Sequence, residues 1–341
     1  MTMKADLSPN EIAILANYRF VVSEPEKDVQ INFSPFFNES TMSSCLKRFK
    51  DELGAPDLKT AASLFMKRHA FLAALYLYSM SAFNKKLDVS PENIILEDAI
   101  HDGLWLPGFY LKNKTTDVCP TRDRAEWRAE AVRHLFVDNL FPVMDAISKS
   151  ANISKLILWE NVAVYIFWLY EKILSEVADP EVKLRAAEDL SFLVEHAPGK
   201  LFGRYSKNPI TRFYSETVYQ EGTDSYIRIR KTCCYSYMLK EKGSYCKTCP
   251  HTCGMKIGSV KMDKNFTEQI NGLLEKYTEL LVGEGSAENV EKVKTWILYS
   301  HIAKSMPPLA KHWNAEYPDA KDQIKNVIAE VKEMNEKNRQ K

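Results

Sequence analysis

The sequence has no long uninterrupted hydrophobic run and contains few glycines. No apolar stretch approaches the roughly 18 residues that a membrane-spanning helix needs. The N-terminal residues MTMKADLSPNEIAIL lack the basic and then apolar regions of a secretory signal. Only 12 glycines occur, and no Gly-x-Gly-x-x-Gly fingerprint of a nicotinamide or flavin site is present. We therefore expect a cytoplasmic protein with no transmembrane segment and no such nucleotide-binding motif.

The composition indicates a folded protein with a large core. Apolar residues make up 45% of the 341 residues and charged residues 27%, which is ordinary for globular proteins. The chain also has 16 Phe, 16 Tyr and 6 Trp, so it can bury much aromatic surface. Such a chain is long enough for one large domain or two medium ones.

Helical patterns dominate the chain and predict a mainly α (α+β) fold. Residues 1–198 read as a mostly helical region, with predicted helices at 57–82, 121–149, 154–176 and 179–196. The 154–176 segment is apolar on nearly all faces, so we expect it to be the central buried helix. Residues 263–341 read as a C-terminal helical extension, with Pro307-Pro308 separating its last two helices.

Two segments have strand patterns instead. Residues 93–113 consist of short apolar pieces separated by turn dipeptides. Residues 212–234 are rich in aromatic and β-branched residues around the break at 222–224, which predicts a hairpin that leads into Cys233 and Cys234. This hairpin belongs to a third region, the basic module of residues 199–262.

The net charge of +1 conceals a strongly basic segment. Residues 199–264 contain 13 Lys or Arg against 5 Asp or Glu, a local net charge of +8 that leaves −7 for the rest of the chain. Positive charge there would favour an anionic metal cluster and attract anionic substrates. A basic surface without a single partner explains the charge equally well.

Five of the seven cysteines lie in one short stretch, between Cys233 and Cys253. Disulfides are rare in the cytoplasm, so this clustering indicates metal ligation. The isolated Cys45 and Cys119 are interpreted as small buried hydrophobes. The motif is a Cys233-Cys234 pair, eleven residues, and then Cys246-x2-Cys249.

Four thiolates suit either a structural zinc ion or an iron–sulfur cluster. Zinc sites usually pair ligands two to four residues apart, a rule that Cys246 and Cys249 satisfy and the adjacent Cys233 and Cys234 do not. Successive side chains of a strand point to opposite faces, so the backbone must turn at this dipeptide for both thiols to reach one centre. A cluster with two irons offers more attachment points, which favours a [2Fe–2S] centre.

Other ligand sets remain open on spacing alone. Cys253 adds a third thiol to the loop and suggests a [4Fe–4S] arrangement, and His251 could replace a thiolate. Both alternatives leave Cys233 or Cys234 without a role. A redox-active dithiol without metal is a further alternative.

The stretch RIRKTCCYSYMLKEKGSYCKTCP resembles the signature of the FhuF-like siderophore-iron reductases. Their signature is a Cys-Cys pair, about ten residues and Cys-x2-Cys, holding a [2Fe–2S] cluster in a mostly helical domain. The resemblance implies that Cys233, Cys234, Cys246 and Cys249 are the cluster ligands. The spacer here has eleven residues, and a helical extension follows the motif where the family core usually ends.

The resemblance implies a ferric-siderophore reductase that passes one electron from the cluster to siderophore-bound Fe(III) and releases Fe(II). We expect the siderophore to be of the hydroxamate or mixed carboxylate type. An electron-donor protein such as a ferredoxin would dock on the basic segment. Tyr235, Tyr237 and Tyr245 are expected to pack around the cluster and limit solvent. The candidate substrate-binding residues are Arg204, Arg212, Arg228, Arg230 and Lys231.

Two interpretations from other classes stay open. A zinc-stabilised module could bind nucleic acid through the basic segment, although the basic residues fill only one short part of a large helical chain, so we expect no nucleic-acid partner. A non-catalytic siderophore carrier or iron–sulfur carrier would hold its ligand without transferring an electron.

Overall fold

The structure, a computed structural model, describes residues 3–101, 104–120, 122–220, 225–240, 243–252 and 264–340. The chain divides into two units, Met1–Lys256 and Ile257–Lys341. Most described residues are helical and the sheets are small, so the predicted mainly α (α+β) class is confirmed. In the described ranges, no helix combines the length and the apolarity needed to cross a bilayer.

The helices of the first unit follow the capping residues of the sequence. Ser8 forms a capping box with Glu11, and Asn38, Asp57, Ser154 and Asp179 each accept a hydrogen bond from a first-turn N–H group. The helices are α1 (Pro9–Ala16), α2 (Glu39–Glu52), α3 (Leu58–His69), α4 (Phe71–Phe83), α5 (Arg124–Leu135), α6 (Phe141–Ala151), α7 (Lys155–Trp168) and α8 (Pro180–Ser191). Short π-helical turns continue α5, α7 and α8.

The helix predicted over residues 57–82 is in fact two helices. The break comes at Ala70, whose ψ of −17° is flatter than that of a regular α-helix, and α4 begins at Phe71. The predicted central helix is confirmed: α7 buries residues on most of its faces, among them Trp159, Asn161 and Ile166.

The strands form two small sheets and two hairpins, and the predicted strand segment at 93–113 is confirmed. The strands are β1 (Met3–Asp6), β2 (Phe20–Val21), β3 (Gln30–Asn32), β4 (Lys85–Lys86), β5 (Ile94–Glu97), β6 (Ile100–His101), β7 (Leu104–Trp105), β8 (Gly108–Leu111), β9 (Thr115–Val118), β10 (Val218–Gln220) and β11 (Ser225–Ile227). A three-stranded antiparallel sheet has the order β1-β9-β4, and a four-stranded sheet has the order β2-β8-β5-β3, in which β2 and β8 are parallel.

The predicted hairpin before the cysteines is present as β10 and β11, which pair antiparallel. Its turn at residues 222–224 lies outside the described residues. Strand β11 ends at Ile227, so Arg228 and Arg230 lie beyond the regular strand.

The second unit is helical and has a small core of its own. Its core contains Val282, Val293 and Val331, with Trp296 packed against them. Pro307-Pro308 separates two helices as predicted, but these prolines also occupy the first turn of a helix that the sequence analysis did not predict. The helices are Lys264–Val282, Ala287–Ser305, Pro307–Glu316 and Pro318–Arg339.

A buried carboxylate joins three helices of the first unit. Asp189 of α8 is fully buried and accepts two hydrogen bonds of 2.7 Å from the Arg124 guanidinium of α5. Arg128 donates a third at 3.1 Å, and the Ser81 hydroxyl of α4 donates a fourth at 2.8 Å. A buried charge is tolerated because its hydrogen-bonding capacity is satisfied in this way.

We expect Asp189→Ala to destabilise the protein by about 3 kcal/mol, since removing one member of a buried charged network leaves the others without a partner. Urea unfolding of the full chain, followed by near-ultraviolet circular dichroism, measures this change. The control is Asp51→Ala, which removes a carboxylate that is 79% exposed and should leave the midpoint nearly unchanged. Equal midpoints for the two variants would contradict a stabilising role for Asp189.

Candidate metal centre

The four candidate ligands come from two segments of the chain. Cys233 and Cys234 follow the β10–β11 hairpin, and Cys246 and Cys249 flank a turn in which the Cys249 N–H donates to the Cys246 carbonyl at 3.0 Å. Cys234 and Cys249 are each 2% exposed, whereas Cys233 and Cys246 are partly exposed. The thiol sulfurs of Cys234 and Cys246 lie 3.8 Å apart.

This sulfur separation is the one expected of two ligands on one metal ion. Two thiolates at about 2.3 Å from a tetrahedral metal are separated by roughly 3.8 Å. Burial raises the pKa of Cys233, and the nearby thiols of Cys234 and Cys249 raise it further. Among the described residues, no three His, Cys, Asp or Glu side chains converge on one point as the ligands of a single ion would. The geometry therefore pairs Cys234 with Cys246.

The chain turns directly after the vicinal cysteines. Tyr235 adopts a left-handed backbone conformation with φ of 61°, which is uncommon for a residue other than glycine. Its N–H donates to the Cys233 sulfur at 3.3 Å. This turn allows two adjacent cysteines to present their sulfurs to neighbouring positions.

Helix α3 contributes two groups to the cysteine site that the sequence analysis missed. The Lys67 ammonium lies 3.8 Å from the Cys234 sulfur, and the Ser63 hydroxyl donates to the Cys234 carbonyl at 3.0 Å. The two residues are one helical turn apart, so they share a face of α3. No local signal marks them, because they precede Cys234 by 167 and 171 residues.

The surroundings of Cys234 favour its thiolate form. A hydrogen bond from the Cys246 thiol lowers the pKa of Cys234, and the charges of Lys67 and Arg230 lower it further. The same hydrogen bond, together with burial, raises the pKa of Cys246. Negative charge at the cysteine site is therefore stabilised on the side that faces α3.

A buried carboxylate on α7 fastens the segment that carries the vicinal cysteines. Glu160 is 2% exposed and accepts hydrogen bonds from the N–H groups of Lys231 and Thr232 at 2.6 and 2.7 Å. The Thr232 hydroxyl also donates to this carboxylate. These contacts fix the backbone immediately before Cys233.

Arg230 completes this attachment. It is 4% exposed, and its guanidinium donates to the Asn161 side chain at 2.6 Å and to the Thr232 carbonyl at 3.2 Å. It also lies 3.7 Å from the Glu160 carboxylate. Asn161 in turn donates to the Ser63 carbonyl at 2.9 Å, so the network connects α7, α3 and the cysteine segment.

A cavity of about 680 Å³ lies beside the Cys246–Cys249 turn. Two residues between these cysteines, Lys247 and Thr248, contribute to its wall, and the Thr248 carbonyl accepts from the Arg230 N–H at 3.0 Å. Several aromatic side chains from α7 and the hairpin also line the cavity. They include Tyr165, Phe167, Trp168 and Tyr226.

The predicted substrate-binding residues do not all lie at one site. Arg228 and Arg230 line this cavity, but Arg228 pairs with Glu171 and Arg230 is buried. Arg204 lines a separate cavity of about 440 Å³, and the Arg212 guanidinium lies 5.5 Å from the Phe213 ring.

Aromatic side chains lie on the cysteine loop itself. The rings of Tyr237 and Tyr245 stack with centroids 4.7 Å apart, and His251 packs edge-on against Tyr237 at 5.7 Å. Tyr245 is 52% exposed, and the side chain of Lys231 is also exposed. Cys253, the alternative third thiol of the loop, lies outside the described residues.

Comparison with known protein families gives a match for the helical part of the first unit. A family model described as "Ferric iron reductase FhuF-like transporter" matches residues 63–217. Residues 63–217 of the chain therefore match the FhuF-like ferric iron reductase family. The matched range begins within α3, includes α7, and ends before Cys233. The family resemblance predicted from the cysteine motif is thus confirmed by a different part of the chain.

The C-terminal unit matches a second family. The model described as "Protein of unknown function (DUF2573)" covers residues 264–341. The protein named "Uncharacterized protein YusU" of Bacillus subtilis (strain 168) is 64% identical over 84 residues, which are 25% of this chain and 88% of that protein.

We expect Glu160→Ala to loosen the cysteine segment, because three hydrogen bonds to the carboxylate are lost and Arg230 stays buried without its acidic neighbour. The free energy of unfolding should fall by about 3 kcal/mol. In the metal-free protein, a thiol reagent should label the buried Cys234 at least several-fold faster, as quantified by peptide mass spectrometry.

The matched control for this experiment is Glu176→Ala, which removes an exposed carboxylate beyond the C-terminal end of α7. Its labelling rate and stability should equal those of the unmodified chain. If Cys234 reacted equally fast in both variants, Glu160 would not be the group that fastens the segment.

Proposed function

We propose that the protein is a ferric-siderophore reductase whose Cys233, Cys234, Cys246 and Cys249 hold a [2Fe–2S] cluster. The family match supports reduction of ferric iron in general. The 3.8 Å sulfur separation is the observation that carries the cluster assignment, since it suits two ligands on one iron. Cys233 and Cys249 then serve as the second pair.

Reduction by one electron is sufficient to release iron from a siderophore. Fe(III) binds hard oxygen donors tightly, and Fe(II) is a weaker Lewis acid whose complexes are weaker and exchange faster. No bond of the siderophore breaks, so the reaction requires no nucleophile or general base. The bound cluster would supply single electrons, renewed by an electron-donor protein such as a ferredoxin, and Fe(II) would be released in the cytoplasm.

The residues around the cysteines have separate roles in this proposal. Lys67 and Arg230 place positive charge beside Cys234, which stabilises the additional negative charge of a reduced site. Glu160 holds the cysteine segment in place. The stacked rings of Tyr237 and Tyr245 lie on the cysteine loop, where they would reduce the access of solvent to the cluster.

Anaerobic purification followed by iron, sulfide and zinc analysis tests the cluster assignment. We expect about two irons and two sulfides per chain and a visible absorption that dithionite bleaches. Cys246→Ser should lose most of this absorption, because serine does not replace a soft thiolate ligand well. The control Cys45→Ser should retain it, since Cys45 lies on α2 and packs against the hydrophobic core. A colourless protein with one zinc would instead identify a zinc-stabilised module.

Lys67→Met tests the electrostatic role assigned to α3. Removing the positive charge and the hydrogen bond to Cys234 makes the reduced state less stable, so the midpoint potential should fall by about 50 mV. Potentiometric titration measures this change. The control Lys59→Met removes an exposed lysine from the same helix and should leave the potential unchanged. Equal potentials for both variants would refute the role of Lys67.

A further inference from the structure

A small cavity of the first unit lies at one end of the four-stranded sheet, and no residue of the cysteine site lines it. Its volume is about 270 Å³, and its walls include Arg19, Val21, Glu97, Leu106 and Gly108. Sites for drug-sized ligands begin at roughly 300 Å³, so this cavity suits a ligand with only a few non-hydrogen atoms. We call it the Arg19 cavity.

The sheet places two opposite charges on either side of Gly108. Glu97 of β5 is paired with Gly108 of β8. On the other side of β8, the Arg19 carbonyl accepts a hydrogen bond of 2.8 Å from the Phe109 N–H, one residue before β2 begins at Phe20. Neighbouring strands are about 4.8 Å apart, so the main chains of Arg19 and Glu97 are separated by roughly 10 Å.

Gly108 keeps the space between these two residues open. A Cβ atom at this position would lie 2.9 Å from the Glu97 Oε2 atom and would collide with the Val21 side chain. Any other residue at position 108 would therefore fill part of the Arg19 cavity or displace the Glu97 carboxylate. The glycine is explained by the room that it leaves beside that carboxylate.

The protein itself matches neither charge. In the ranges that the structure describes, the side chains of Arg19 and Glu97 form no ion pair or hydrogen bond, with each other or with another residue. The Arg19 Nη1 atom is buried, and the guanidinium carbon lies 3.7 Å from the centre of the Phe71 ring. Burial, and to a smaller extent the charge of Arg68, lower the pKa of Arg19 to about 10. Arg19 is still protonated at neutral pH, so it is a half-buried cation without an anion.

Arg19 also has an unusual backbone conformation. Its φ of 67° lies in the left-handed region, which a residue with a Cβ atom seldom adopts. Glycine would adopt this conformation at lower cost, so the turn before β2 does not by itself explain an arginine. Strained residues of this kind cluster at binding sites, where their side chains have a role.

We propose that the Arg19 cavity binds a free α-amino acid with a short apolar side chain. The Arg19 guanidinium donates hydrogen bonds to the carboxylate of the ligand, and the Glu97 carboxylate accepts hydrogen bonds from its ammonium group. Val21 and Leu106 pack against the apolar side chain. An α-amino acid carries on two adjacent carbons the two charges that the cavity leaves unmatched.

The two charges together exclude simpler ligands. An inorganic anion would pair with Arg19 and bring a second negative charge towards Glu97. A simple amine would pair with Glu97 and leave the Arg19 guanidinium without an acceptor. A half-buried charge without a partner costs free energy, so a ligand that satisfies both groups gains most from binding.

Isothermal titration calorimetry of the full chain tests the ligand class. The chain is titrated with L-alanine, L-valine and L-leucine, and at least one of them is expected to bind. The N-acetyl derivative and the amide of the tightest ligand are then titrated. Each should bind at least tenfold more weakly, because the first lacks the ammonium group and the second lacks the carboxylate.

Two variants assign the binding to the cavity. Arg19→Gln and Glu97→Gln should each weaken the amino acid at least tenfold. Glu97→Gln should leave the affinity for the N-acetyl derivative nearly unchanged, because the group that Glu97 would contact is already absent from that ligand. This comparison separates direct contact from a structural effect. It also keeps the proposal testable if Arg19→Gln fails to fold.

The controls are Arg122→Gln and Glu26→Gln, which change exposed residues outside the cavity lining and should bind the amino acid as the unmodified chain does. Heat of binding from none of the three amino acids would overturn the proposal and leave a cavity that holds only water. Equal binding by the two cavity variants, or by the amide and the N-acetyl derivative, would overturn it as well.

Discussion

The site depends on the buried Glu160 carboxylate and its attachment of the cysteine segment to helix α7. A carboxylate that is 2% exposed must have its hydrogen-bonding capacity satisfied, and here the partners are main-chain and hydroxyl groups of Lys231 and Thr232 together with the nearby Arg230. The interaction works in both directions. The segment satisfies the buried charge, and the buried charge fixes the backbone that precedes Cys233.

This attachment divides the basic segment into groups with different roles. Arg230 is buried and its guanidinium donates a hydrogen bond to Asn161. Arg228 lies 4.2 Å from the centre of the Tyr214 ring and forms an ion pair with Glu171. The local charge of +8 therefore overstates what a partner or substrate would meet. Besides Lys247 of the basic segment, the lining of the cavity beside the Cys246–Cys249 turn includes Lys172, which lies outside that segment on the π-helical turn that continues α7.

The chain combines two sequence families that have separate cores. The FhuF-like match lies within Met1–Lys256, and the second match coincides with the helical C-terminal unit, whose core includes Val282, Val293 and Val331. The Bacillus subtilis protein matches 84 residues of the chain, which are 88% of its own length. The cysteine motif belongs to the first unit.

Local sequence determined the helix starts, the hairpin and the cysteine motif, because a cap such as Ser154 or Asp57 bonds to a group two or three residues away and a turn depends on its own residues. The break at Ala70 escaped prediction, since the apolar pattern continues through it. Lys67 and Glu160 could not be predicted as parts of the site, because they meet residues 167 and 71 positions later. Only the packing of α3 and α7 in the helical body brings these charges to the cysteines, and long-range packing is not encoded in any local spacing.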